Sequence, residues 1–104
     1  MAVESNIIEL VRKFVEVLDN SQLKIEEAYL FGSYANGNQN EYSDIDLALV
    51  SEKFSGIRFF DNETIIDHTS PAFANIQTHP FLPDDFIRSN PFVKEILKTG
   101  IKIP

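Results

Sequence analysis

The stretch FGSYANGNQNEYSDIDLALV, residues 31–50, carries a glycine–serine turn into a strand that opens with two aspartates one residue apart. Asp44–Val50 is the clearest strand pattern in the chain. Residues two apart on a strand share a face, so Asp44 and Asp46 project together, about 7 Å apart along the backbone. Ile45, Leu47 and Leu49 take the other face and are expected to pack on a helix. Convergent carboxylates repel each other, and an ionised group buried without a partner is costly. A hard divalent ion with oxygen ligands is the natural remedy, and magnesium completes its shell with water and substrate phosphates.

Gly32 and Ser33 supply the other half of this constellation. A glycine after a strand lets the backbone approach a phosphate closely, and a serine opening a helical turn presents N–H and hydroxyl donors. Phosphate donors beside metal-binding carboxylates describe a site for a nucleoside triphosphate and its metal. The matching chemistry is in-line displacement at phosphorus.

Working outward, residues 5–19 place Ile7, Ile8, Val11, Phe14, Val15 and Leu18 at the spacing of an amphipathic helix, with Ser5 as a candidate N-cap. Residues 26–31 read as a short strand ending at Gly32, and 33–43 as a loop with one helical turn near its start. A short helix is expected over 60–69, stopped by Pro71, and a third strand over Phe73–Thr78. The run HPFLPDD reads as turn-rich. Pro91 suits the first turn of a last helix, which Gly100 is placed to end.

The chain has 104 residues and reads as a single domain, 1–104, with 43% hydrophobic residues and nine phenylalanines for a core. Its net charge of −7, with no basic cluster, argues against a general nucleic-acid binder. The absence of cysteine excludes disulfides and thiolate chemistry. MAVESNIIEL lacks the pattern of a signal segment, and no apolar run reaches spanning length, so a cytoplasmic location without a membrane role is expected.

The run Gly32-Ser33-Tyr34-Ala35-Asn36-Gly37, followed after a spacing of twelve by Asp44-Ile45-Asp46, resembles the signature of the DNA polymerase β-type nucleotidyltransferase superfamily. It is most similar to the minimal, stand-alone MNT-type domains paired with HEPN-domain proteins in toxin–antitoxin modules. The resemblance implies an α/β fold, a small mixed twisted sheet with helices mainly on one face. It assigns Gly32 and Ser33 to the nucleotide, and Asp44 and Asp46 to catalysis and to Mg2+ or Mn2+. It also implies transfer of a nucleoside monophosphate, with ATP the expected donor, to an acceptor hydroxyl such as a tyrosine of a HEPN partner. The family's third carboxylate falls at Gln77, whose amide is no general base, and Asn36 replaces a residue that is often basic. These departures leave a second reading open, a nucleotide-binding or antitoxin-like module without catalysis. Antibiotic nucleotidylation fits less well, because no acceptor-binding domain follows the core.

Other residues have blander readings. His79 reads as a loop histidine with a structural hydrogen bond. Asp67 and His68 read as solvated groups on a surface helix, with Asp67 the fallback third acid. Phe59, Phe60, Phe73, Phe81, Phe86 and Phe92 read as core and interface packing. Oligomerisation is left open.

Overall fold

A computed structural model describes residues 5–21, 23–32 and 44–103. Helix α1 (Ser5–Asn20) leads into strand β1 (Glu27–Phe31), then β2 (Ile45–Val50), α2 (Arg58–Asp67), β3 (Ile76–Phe81), α3 (Pro91–Thr99) and the short β4 (Ile101–Lys102). The four strands form one sheet in the order β3-β2-β1-β4. β1 runs antiparallel to β2 and β4, whereas β2 and β3 are parallel and joined through α2. A parallel pair needs a long crossover, which the helix provides. The result is the expected mixed α/β architecture. The expected loop with its helical turn, 33–43, and with it Ser33, lies outside the described residues.

The apolar stripe of α1 buries Val11, Phe14 and Leu18 in one cluster with Ile45, Leu47 and Leu49 of β2 and Leu30 of β1. Ile65 of α2 joins the same cluster, so both helices cover the Leu47 face. On the opposite face, Phe92 of α3 packs edge-on to Phe31, with ring centroids 5.6 Å apart. Phe81 and Phe86 extend this aromatic layer at 5.2 Å, and Phe86 stacks on Tyr29 at 5.4 Å.

Two expectations shift. The third strand begins at Ile76 and runs to Phe81, because Pro71–Phe73 forms a 3-10 turn and His79-Pro80-Phe81 stays in the ladder. Pro80 had read as a turn signal, but β3 is an edge strand, where a missing N–H is tolerated. Phe59 and Phe60 are 67% and 55% exposed and belong to no core. Phe73, by contrast, packs against the apolar cluster, and Phe81 contacts Phe86 and the 42% exposed Phe92 in the aromatic layer.

The last helix begins as its sequence predicts: Pro91 holds the first position and the Asn90 side chain accepts from Phe92 N–H at 2.9 Å. Gly100 ends it for a steric reason. Its φ is −77°, yet a Cβ there would collide with the Ile96 carbonyl oxygen and lie 3.1 Å from the Leu30 carbonyl oxygen. The helix end therefore sits directly on β1, and Ile101 can pair with Leu30 at once.

The loop between β2 and α2 is held by a carboxylate. Asp61, 5% exposed, accepts from Ser55 N–H at 2.8 Å, Ser55 Oγ at 2.9 Å and Gly56 N–H at 3.1 Å. These bonds organise the chain ahead of Arg58, the first residue of α2. Asp61→Ala leaves two backbone donors without that partner, and the expected loss is about 2–3 kcal/mol of folding stability. Urea denaturation checks this, with the exposed Asp67→Ala expected to change stability by less than about 0.5 kcal/mol.

Candidate functional site

Along β2 every residue but Asp46 is buried. β2 is an inner strand covered on both faces, and Asp46 marks the one place where the cover opens. Asp44 stands just before the strand and is exposed. The alternation of the strand puts Asp46 on the face opposite Leu47, and Asp44 precedes the strand by one position.

Pairing brings three neighbours to Asp46. Phe31 is its partner on β1 and Gln77 its partner on β3. Paired residues share a face, so Gln77 flanks Asp46 at the position where sequence comparison sought a third acid. Gly32 follows Phe31 with φ +77°, in the left-handed region that favours glycine. A Cβ on Gly32 would collide with Asp46 Oδ2. The glycine of the turn and the second aspartate of the strand are thus in direct contact across the β1–β2 ladder.

His79, two residues beyond Gln77, lies on the same face of β3. Its Nε2 is 3.3 Å from Asp46 Oδ1, and its Nδ1 is 2.7 Å from Arg58 Nη2. The ring packs edge-on to Phe31 at 4.9 Å and to Phe92 at 5.9 Å. Its side chain is 11% exposed, against 27% for Asp46. Burial pushes the imidazole pKa below its ordinary value; the hydrogen bond to Asp46 opposes this, while the Arg58 charge reinforces it. The structure therefore corrects the loop reading of His79: it is a strand residue bonded to the central carboxylate.

Beside Asp44 opens a cavity of about 610 Å³ at the start of β2 and β3. Arg58, Asn62, Gln77 and Thr78 give it polar walls, and Phe14, Ile65 and Phe73 an apolar floor. Thr78 Oγ1 donates to Asn62 Oδ1 at 2.7 Å and ties α2 to β3 there. The Asp67–His68 pair is exposed at the other end of α2, and His68 Nδ1 lies 2.8 Å from its own helix's Thr64 carbonyl oxygen.

Asp46, with an oxygen against the glycine turn, and Asp44 just before the strand are carboxylates of the kind a hard divalent ion takes. Among the described residues no group of three or more acidic or histidine side chains is arranged to hold a metal. The fit is therefore to an ion that takes its remaining ligands from phosphate and water. Sequence reasoning did not single out Arg58 and misread the surroundings of His79. The signal was present in the alternation Gln77, His79, which repeats that of Asp44, Asp46 once β3 is extended past Pro80.

The contact between Gly32 and Asp46 generates a test. Gly32→Ala is expected to cost about 1–2 kcal/mol from the left-handed backbone alone, with further loss as the methyl displaces the Asp46 carboxylate. Chemical denaturation measures the first effect, and the second appears as a weakened response of the variant to Mn2+ in nucleotide-bound protein.

Comparisons with known proteins bear on the family and the fold. A candidate protein adenylyltransferase of Methanocaldococcus jannaschii is 45% identical over 101 residues, covering 93% of each chain. A candidate nucleotidyltransferase from Sulfolobus solfataricus, solved at 1.40 Å, shares the fold with a TM-score of 0.61 and 21% identity, over 93% of this chain and 78% of that one. A toxin–antitoxin structure with AMP-PNP also has a TM-score of 0.61, at 20% identity, over 88% of this chain and 70% of its own. Residues 11–102 match the nucleotidyltransferase domain family, and with a relative this similar over nearly the whole length, the chain belongs to that family.

Proposed function

We propose that this protein transfers a nucleoside monophosphate from a nucleoside triphosphate, ATP in the first instance, to a hydroxyl group on a protein partner. The acceptor oxygen attacks the α-phosphorus, the bond from that phosphorus to the bridging oxygen of the β-phosphate breaks, and pyrophosphate leaves. The hydroxyl proton is lost to water. The observation that carries this reading is the contact of Gly32 with Asp46 Oδ2, which joins a phosphate-type turn to a carboxylate in a family of nucleotidyltransferases.

Members of this family generally work with divalent metals. Asp44 and Asp46 would hold Mg2+ or Mn2+, which when bound neutralises triphosphate charge and polarises the α-phosphate. Gly32 and Ser33 would cradle the phosphates through backbone N–H groups and the serine hydroxyl. The cavity at the start of β2 and β3, which Asp44 and Gln77 line, leaves room beside the site for an approaching acceptor.

A protein acceptor is supported by the relative described for protein adenylylation, and a toxin partner by the structural neighbour taken from a toxin–antitoxin complex. We therefore assign the acceptor to a tyrosine of a HEPN-domain partner, and the reaction to the cytoplasm. No helix among the described residues is long and apolar enough to cross a membrane.

One observation favours a second reading. Gln77, in register with Asp46, contributes an amide dipole in place of a charge. A chain so built binds nucleotide and partner but turns over slowly or not at all, and silences its partner by occlusion.

Transfer of label from α-labelled ATP to the partner separates the two readings. Asp46→Asn is expected to lower transfer about a hundredfold or more, since removing a metal-binding charge costs several kcal/mol in the transition state. Gln77→Glu is expected to raise transfer above wild type, and an engineered glutamate that gains nothing in a well-folded, nucleotide-binding protein favours the binding-only reading. Robust wild-type transfer that survives Gln77→Ala removes Gln77 from the third-ligand position. Calorimetry adds a further check: Mg2+ should bind the free protein weakly and the complex with a non-hydrolysable ATP analogue much more tightly. Tight binding to the free protein counts against an ion that relies on phosphate ligands.

A further inference from the structure

We infer that Arg58 and His79 are positioning residues, a two-step hydrogen-bond relay that fixes the orientation of the Asp46 carboxylate and leaves its Oδ2 for metal and phosphate. The inference rests on the nucleotidyl-transfer reading and adds to it two residues to which that scheme gives no role.

The direction of the relay follows from donor and acceptor chemistry. Arginine has only N–H donors and keeps its charge at all ordinary pH values. With Arg58 Nη2 at 2.7 Å, His79 Nδ1 must therefore be an acceptor and carry no proton. The neutral ring then bears its proton on Nε2, the atom facing Asp46 Oδ1 at 3.3 Å. An imidazolium would instead place an N–H against the guanidinium, with two positive charges in contact. Both ring nitrogens are thus committed, and His79 is excluded as a metal ligand while Arg58 stays in place.

The consequence falls on Asp46. Its Oδ1 accepts from His79, while its Oδ2 lies where a Cβ of residue 32 would be. The carboxylate is clamped with one oxygen toward the aromatic layer and the other toward the glycine turn. His79 cannot swing away easily, because Phe31 and Phe92 hold its ring at 4.9 and 5.9 Å. Arg58 in turn begins α2 directly after the loop that Asp61 organises. Partners of this kind fix ligand orientation, and losing one typically costs about 10–100-fold in metal affinity or activity.

The experiment combines a spectroscopic readout with binding. Long-range 1H–15N correlation spectra of histidine-labelled wild-type protein should show His79 as the Nε2–H tautomer, and Arg58→Ala should shift it toward Nδ1–H. Mn2+ affinity in the presence of a non-hydrolysable ATP analogue, read by electron paramagnetic resonance, should fall about tenfold in His79→Phe, which keeps the ring packing. His79→Gln, which retains an N–H donor near the place of Nε2, should stay within about threefold of wild type. Circular dichroism melts establish that each variant is folded; if the Phe variant is not, the surface change Arg58→Ala, expected to weaken Mn2+ severalfold, carries the binding test.

An Nδ1–H tautomer in the wild type overturns the relay. Equal Mn2+ affinity in wild type and in folded His79→Phe, or in Arg58→Ala where the Phe variant does not fold, overturns the positioning role while leaving the transfer reading standing. A wild-type protein that binds no Mn2+–nucleotide at all overturns the transfer reading, and the role assigned to the relay falls with it.

Discussion

The carboxylate of Asp46 sits in the middle of a strand whose other residues are all buried, and the surrounding structure is arranged to tolerate it. A negative charge at such a place is unfavourable unless it keeps polar contacts. One oxygen meets the imidazole of His79, and the other faces the backbone of Gly32, where any side chain would collide. Removing either neighbour changes where the charge can point, so the glycine turn, the third strand and the start of α2 are bound to one side chain.

This dependence explains why the supporting elements lie where they do. The register of β3 on β2 sets Gln77 and His79 on the Asp46 face, and because the pair is parallel it needs the α2 crossover. The crossover begins at Arg58, so the same helix that covers the Leu47 face also delivers the guanidinium to the other side of the edge strand. Asp61 makes that delivery reproducible by closing the Ser55–Gly56 loop with three hydrogen bonds. On the far side, α3 places Phe92 against Phe31 and His79, which confines the imidazole. The carboxylates of Asp61 on α2 and Asp46 on β2 are in this way coupled through the start of a single short helix.

Membership of the nucleotidyltransferase family and the chemistry of the site are consistent with each other, but this chain has its own pattern within that frame. Beside Asp46, where the resemblance sets a third acid, β3 carries the amide of Gln77. Under the proposed transfer reading, the nucleotide would then supply part of the charge that a bound metal needs.

Periodicity and motif spacing carried much of the structure. The i, i+3, i+7 pattern of Val11, Phe14 and Leu18 determined α1, and Asn90-Pro91 determined the start of α3, because local sequence chemistry decides amphipathic faces and caps. The alternation through Ile45, Leu47 and Leu49 likewise determined which face of β2 enters the core and placed Asp46 on the other. Tertiary structure alone decided the rest. Pro80 continues β3 because the strand is at an edge, a position that composition does not encode. Gly100 is required by the approach of the Ile96 and Leu30 carbonyl oxygens and not by its own φ. The two-residue β4 is too short to have a pattern, and it exists only because β1 offers an unpaired side. Arg58 and His79 stand 12 and 33 positions after Asp46 and come together with it only when β2 and β3 pair in register. Spacing in a sequence reports what a segment can present, and which partner it meets depends on strand order and register, which long-range packing sets.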